Sequence, residues 1–209
     1  MMSKEEVPAV ILSGGESRRM GRNDKAFLSI EDKTLLEITL ERLHRQTQQI
    51  AINTNSNDPK YLAYNLPVLN DAISGFLGPL AGIFTAMKWA NQMGYKSVAT
   101  IAVDTPLFPE NLLKKLHCKM EMSNSDIVFA GTSTDYKKKK LLHPVFGLWK
   151  TSLYNDLRKE LESGVRKVTN WSERHKASNV FFQDKHLDPF FNVNSPEDIA
   201  ILREHYRKK

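Results

Sequence analysis

Short apolar runs alternate with helical segments along most of this chain, and that alternation restricts it to one class of fold. Residues 7–12 form a compact apolar run that stops at Gly14-Gly15, the pattern of a strand buried on both faces. Thr34-x-x-Glu37 has the form of a capping box, and Leu35, Ile38 and Leu43 follow at helical spacing. Ile50–Asn53 and residues 67–69 read as a second and a short third strand. Pro79 opens a helix carried by Ile83, Met87 and Ala90, with Gly94 placed to end it. Residues 98–103 are the clearest buried strand, stopped by Asp104-Thr105-Pro106, and Pro109 then opens a short helix. Residues 126–130 and 142–149 read as later strands. Ser195-Pro196-Glu197-Asp198 stacks an N-cap, a proline at the first helical position and acid in the first turn, so a last helix is expected over about 196–208. Strands that alternate with helices build a mainly parallel sheet covered on both faces, and 209 residues suffice for one such domain. The expected fold is a single Rossmann-like, three-layer α/β domain over residues 1–209.

Charge separates the two halves of that domain. The net charge of +6 comes wholly from residues 106–209, which carry 19 basic and 13 acidic side chains, against 11 of each in residues 1–105. A basic half beside a neutral one suggests an anionic partner, either nucleic acid or a phosphorylated small molecule. Nucleic acid is the weaker option, because the basic residues are not interleaved with aromatics on one element. The single cysteine, Cys118, excludes an internal disulfide framework and a Cys-rich metal site. No stretch reaches the roughly 20 apolar residues of a membrane span. Glu5 and Glu6 argue against a signal or transit peptide, so a reduced, cytoplasmic setting is expected with no membrane partner. The six histidines show no metal-ligand spacing and read as structural or surface residues. Trp89, Trp149 and Trp171 read as core or rim.

In open α/β sheets ligands bind beyond the carboxyl ends of the strands, which makes the residues there the candidates. The first strand leads into Leu12-Ser13-Gly14-Gly15, with Arg19 and Lys25 following. Adjacent glycines let backbone N–H groups approach phosphate oxygens, and the two cations can neutralise a polyphosphate. The spacing is neither a Walker A loop nor a Gly-x-Gly-x-x-Gly fingerprint. Two glycines alone would be an ordinary turn beside a solvated basic loop. Asp104 at the end of a buried strand suits Mg²⁺ bound to phosphates, though a turn aspartate before Pro106 has the same sequence. Asn53 and Asp71 end the second and third strands, and an amide can both donate and accept, as recognition of a base requires. Lys137-Lys138-Lys139-Lys140 reads as a solvated loop, or as a lure for an anionic substrate.

Five ordered motifs carry a resemblance. Leu12-Ser13-Gly14-Gly15-x-Ser17-x-Arg19-Met20-Gly21-x-x-Asp24-Lys25 resembles the signature of the molybdopterin nucleotidyltransferase family. Asn70-Asp71 with Gly78-Pro79-Leu80-Ala81-Gly82-Ile83 is similar to its second motif, and Val103-Asp104-Thr105-Pro106 to its third. His143-Pro144-Val145-Phe146-Gly147 and Asn192-Val193-Asn194-Ser195-Pro196 resemble the last two. Ser13 and Ser195 stand where the family more often has Ala and Thr.

The resemblance implies transfer of GMP from GTP to molybdenum-bound molybdopterin, with Mg²⁺ as cofactor and pyrophosphate released. It implies that Leu12, Ser13 and Gly14 meet the nucleotide through the backbone, with Gly15 and Arg19 near the phosphates and Lys25 neutralising them. Asn53 and Asp71 would fix the nucleoside, Gly78 and Gly82 would belong to a base-side loop, and Asp104 would bind the metal. Lys25, Arg19 and Asp104 are the catalytic candidates. Asn192 and Asn194 would lie on the acceptor side, apart from GTP, beside free N–H groups at the start of the last helix. Residues 1–105 would then be the nucleotide part and 106–209 the acceptor part, with recipient apo-enzymes or other cofactor-biosynthesis proteins as further partners. Three alternatives stay open: a CTP-using relative, a transferase acting on a sugar phosphate, and a non-catalytic carrier.

Overall fold

A computed structural model describes residues 6–14, 24–73, 75, 78–134, 139–183 and 187–207. Strand β1 (Ala9–Leu12) is buried along its whole length. A small hairpin, β2 (Ser29–Ile30) and β3 (Lys33–Thr34), leads into α1 (Leu35–His44), where Thr34 and Glu37 form the expected reciprocal capping box. Next come β4 (Ile50–Asn53), β5 (Val68–Leu69), α2 (Pro79–Gln92), β6 (Ser97–Ala102) and α3 (Leu112–Ser123). The chain continues through β7 (Ile127–Thr134), β8 (Lys139–Lys150), α4 (Tyr154–Glu162), α5 (Val168–Ser172), β9 (Ala177–Phe182) and α6 (Pro196–Arg207).

Seven strands form one sheet in the order β5-β4-β1-β6-β8-β7-β9. Only β8 runs against the others, pairing antiparallel with both β6 and β7. The mainly parallel sheet expected from the sequence is therefore present. Alternation along β1 divides the core. Ala9 and Ile11 face one side with Leu36, Leu40 and Leu43 of α1 and Leu113 and Leu116 of α3. Val10 and Leu12 face the other side with Ile83, Phe84 and Met87 of α2 and Leu157, Leu161 and Trp171 of α4 and α5. Trp149 and Trp171 are buried in that second layer and Trp89 packs against it, as expected of core or rim residues. A third cluster joins Val193 and Leu202 to Ile30, Leu35, Ile38 and Leu107, which docks α6 on the hairpin and α1. No helix among the described residues is long and apolar enough to cross a membrane.

Several boundaries move. The strand expected to reach Val103 ends at Ala102, and Val103 and Asp104 lie in the turn beyond it. Pro109 does not open α3. Its carbonyl accepts Leu112 N–H and Gln46 Nε2, and Gln46 Oε1 takes Leu113 N–H, so a side chain from beyond α1 caps α3. Gly94 ends α2 at φ +84°, the left-handed position expected of it. Lys139 and Lys140 belong to β8 rather than to a loop, and Lys140 Nζ lies 4.9 Å from the Phe181 ring centroid. Lys137 and Lys138 lie outside the described residues.

Candidate active site

The sheet turns its topology at β1. From β1 the chain runs outward through β4 and β5, then returns past β1 to β6, and a crevice opens at the carboxyl ends where the order reverses. The candidate residues meet there. Lys25 begins a short 3-10 turn (Lys25–Phe27) capped by Asp24, whose Oδ1 accepts Ala26 N–H. Its Nζ donates to Asn194 Oδ1 at 2.6 Å and lies 3.6 Å from Asp104 Oδ2. The Asp104 carbonyl accepts Val193 N–H at 2.8 Å, which stitches the segment bearing Asn192 and Asn194 to the end of β6. One lysine, one carboxylate and one amide, drawn from three distant stretches of sequence, thus meet at one corner.

Asn192 and Asn194 were expected on the acceptor side, and the structure sets one of them against a residue expected on the nucleotide side. Both side chains are exposed, and Asn194 touches Lys25 directly. A carboxylate of the chain itself already sits at the start of α6. Asp198 Oδ2 accepts both Asn194 and Ser195 N–H, and Ser195 Oγ accepts Asp198 N–H. Those backbone bonds hold the Asp198 carboxyl below the usual carboxylate range, so a negative charge already occupies that helix end.

Asn53 is 3% exposed, and its Nδ2 donates to Leu69 O and to Asp71 Oδ1, both at 3.0 Å. With both amide protons committed inside the protein, Asn53 orients Asp71 instead of reading a base through that group. Asn55 completes the grip, donating from Nδ2 to Asp71 Oδ2 and accepting Asp71 N–H at Oδ1.

Gly82 is no loop residue. It is buried in the first turns of α2, and a Cβ there would stand 2.6 Å from Asn53 Oδ1 and 3.1 Å from Leu12 Cδ2. It makes room for the side chain that holds Asp71. Gly78 precedes α2 at φ +68° with open space around it. Leu12 O and Ser13 N are engaged in the sheet, with Val103 N and Asn53 O, which leaves Gly14 as the exposed end of the run. Gly15 and Arg19 lie outside the described residues.

Two polar chains escaped the sequence reading. Tyr61 Oη bridges Ser13 and Asp24, and nothing in Lys60-Tyr61-Leu62 marks it. Thr132 Oγ1 donates to Asp188 Oδ1 at 3.0 Å, so the 2.7 Å contact with His143 requires His143 Nε2 to be the donor. His143 also stacks on Phe190 at 4.4 Å. Burial lowers its pKa from the ordinary 6.5.

The family profile described as MobA-like NTP transferase domain matches residues 9–178, most of the chain and all of the strand ends just described except the Asn192–Asn194 segment. The chain belongs to the MobA-like NTP transferase family. A molybdenum cofactor guanylyltransferase from Polynucleobacter asymbioticus is 38% identical over 202 residues, covering 97% of this chain and 98% of the relative. One from a Bradyrhizobium strain is 36% identical, covering 93% and 90%. The solved molybdopterin-guanine dinucleotide biosynthesis protein A of Archaeoglobus fulgidus superposes with a TM-score of 0.74 at 23% identity, covering 97% of this chain and all of that one, and shares the fold. As a MobA-like transferase the chain is a nucleotidyltransferase, a class that generally works with a divalent metal. Among the described residues no group of three or more His, Cys, Asp or Glu could hold an ion alone. Asp104, 23% exposed, offers a carboxylate just beyond β6. That donor set fits Mg²⁺, which takes one or two carboxylates and fills its shell with water and substrate phosphates.

Proposed function

We propose that this chain transfers GMP from GTP to molybdenum-bound molybdopterin, producing the guanine dinucleotide form of the cofactor and pyrophosphate. The observation that carries the reading is the meeting of Lys25, Asp104 and Asn194 at the strand ends, in a chain whose relatives are named for this reaction. A terminal phosphate oxygen of the pterin would attack the α-phosphorus of GTP in line. The new P–O bond forms as the bond to the bridging oxygen breaks and pyrophosphate leaves. The nucleophile is already an anion, so no side chain has to take a proton. Catalysis then rests on positioning and on charge placed where it develops. Lys25, with Arg19, would face the triphosphate, and Gly14, Gly15 and Gly78 would let backbone approach the nucleotide. Asp71, gripped by Asn53 and Asn55, would contact the nucleoside. Asp104 would hold Mg²⁺, which would supply further charge neutralisation. Asn192 would belong to the acceptor side and Asn194 to the join between the two substrates. The basic residues of 106–209 favour an anionic pterin. We place the reaction in the cytoplasm, with recipient apo-enzymes as onward partners.

The test is turnover. Purified protein is incubated with Mg²⁺, molybdenum-bound molybdopterin and each of GTP, CTP and ATP, and pyrophosphate is measured. GTP should be preferred by at least about tenfold, or about 1.4 kcal/mol. Equal use of CTP would make the enzyme a cytidylyltransferase, and no pyrophosphate with any nucleotide would make it a carrier.

A further inference from the structure

Tyr61 lies in a 3-10 segment (Pro59–Tyr64) between β4 and β5 and is 1% exposed. A buried phenol needs partners for its hydroxyl, and Asp24 and Ser13 supply them here. Tyr61 Oη donates to Asp24 Oδ2 at 2.7 Å, since a carboxylate only accepts. The 2.6 Å contact with Ser13 Oγ must then run the other way, with Ser13 as donor. The chain has a fixed direction: Ser13 hydroxyl to Tyr61 hydroxyl to Asp24 carboxylate. Asp24 is also the cap of the Lys25 turn, through Oδ1 and Ala26 N–H. The Tyr61 ring packs 4.8 Å from the ring of Phe27, the last residue of that turn. Hydroxyl and ring therefore hold the two ends of the segment from Asp24 to Phe27, and Ser13 anchors the assembly to the end of β1, whose backbone is locked in the sheet.

We propose that Tyr61 is a positioning residue for Lys25: it ties the Asp24-capped turn to Ser13 and so sets where the Lys25 ammonium stands relative to Asp104 and Asn194. A lysine stem has four rotatable carbons, and an ammonium aimed at a phosphate gains from having its backbone fixed beforehand. Burial raises the Tyr61 phenol pKa, so the hydroxyl keeps its proton and the chain keeps its direction across the physiological range. Ser13 stands where the resembling family more often has Ala, which would lack the first donor of this chain.

The inference rests on Lys25 facing the triphosphate, and the experiment separates the two claims. GTP binding in Mg²⁺ is measured by calorimetry for wild type, Tyr61→Phe, Asp24→Asn, Lys25→Ala and Lys25→Ala/Tyr61→Phe, beside thermal midpoints. Phe keeps the ring on Phe27. Asn leaves a single carbonyl oxygen to serve both Ala26 N–H and Tyr61. Each of these two variants should weaken GTP binding about tenfold, the scale of one hydrogen bond to a charged group, with kcat on saturating GTP reduced less than KM is raised. In the Lys25→Ala background, Tyr61→Phe should add less than about twofold. Unchanged GTP affinity in Tyr61→Phe or in Asp24→Asn overturns the proposal. So does an equal loss with and without Lys25, or a fall in kcat that only tracks a lost folded fraction. Wild-type GTP affinity in Lys25→Ala alone instead removes Lys25 from the triphosphate, whatever Tyr61 does.

Discussion

Asn194 and Asn192 are two residues apart and hold different positions. Asn194 Oδ1 accepts the Lys25 ammonium at 2.6 Å, and Asn192 makes no such contact. Asn194→Ala should therefore raise the KM for GTP about tenfold or more, in line with the ~1.5–3 kcal/mol that a hydrogen bond to a charged group is worth. Asn192→Ala should leave the KM for GTP unchanged and raise that for the pterin. Steady-state kinetics with each substrate varied in turn decides this, and a raised GTP KM in Asn192→Ala would refute the assignment. The strand-end candidates were legible because each follows an apolar run that had to be a strand. The partners of Asn53 were not, since its amide protons go to Leu69 O and Asp71, and that geometry exists only once β4 and β5 have paired. Gly82 looked like part of a ligand loop for a related reason. Its glycine is required by the Asn53 side chain beneath it, a neighbour that sequence spacing cannot reveal.

Elements with strong local signals were read correctly: α1 by its capping box, α2 by Pro79 and Gly94, and β6 by its apolar run. Elements whose signal is tertiary were not. In α4 only Leu157 and Leu161 are buried among charged neighbours, and β9 alternates weakly and finds its partner, β7, far back in the chain. The β7–β8 pair is longer than its apolar cores because polar positions carry the ladder on to Thr134 and Lys139. The same pair supplies a pH effect. The unfolded chain protonates His143 near the ordinary 6.5, whereas burial keeps the folded value lower, with Asp188 pulling weakly the other way. Stability from His143 is then fully present above about pH 6.5 and declines as pH falls toward the lowered folded value. Urea unfolding at pH 7.5 and 5.5 should show a steeper loss in wild type than in His143→Gln. Parallel losses would mean that His143 titrates alike in both states.

The two proposed halves are not two folding units. Strands β1, β4 and β5 from the first half and β7 to β9 from the second share one sheet, and both core layers draw on both halves. Unfolding should be a single transition. Fluorescence of Trp149 and Trp171, both in the second half, should trace the same curve as far-UV circular dichroism. Separated midpoints would argue for independent units. The closure of α6 over the hairpin has a consequence in time. Arg203 donates to Ser29 O, Arg207 reaches Glu31, and Val193 and Asn194 bind Asp104 and Lys25, so the corner is finished by residues that translation delivers only after every strand of the sheet. On the ribosome, β1, β4 and β6 emerge well before Asn194 does. A growing chain thus displays its lysine and its aspartate for a while without the amide that will steady them.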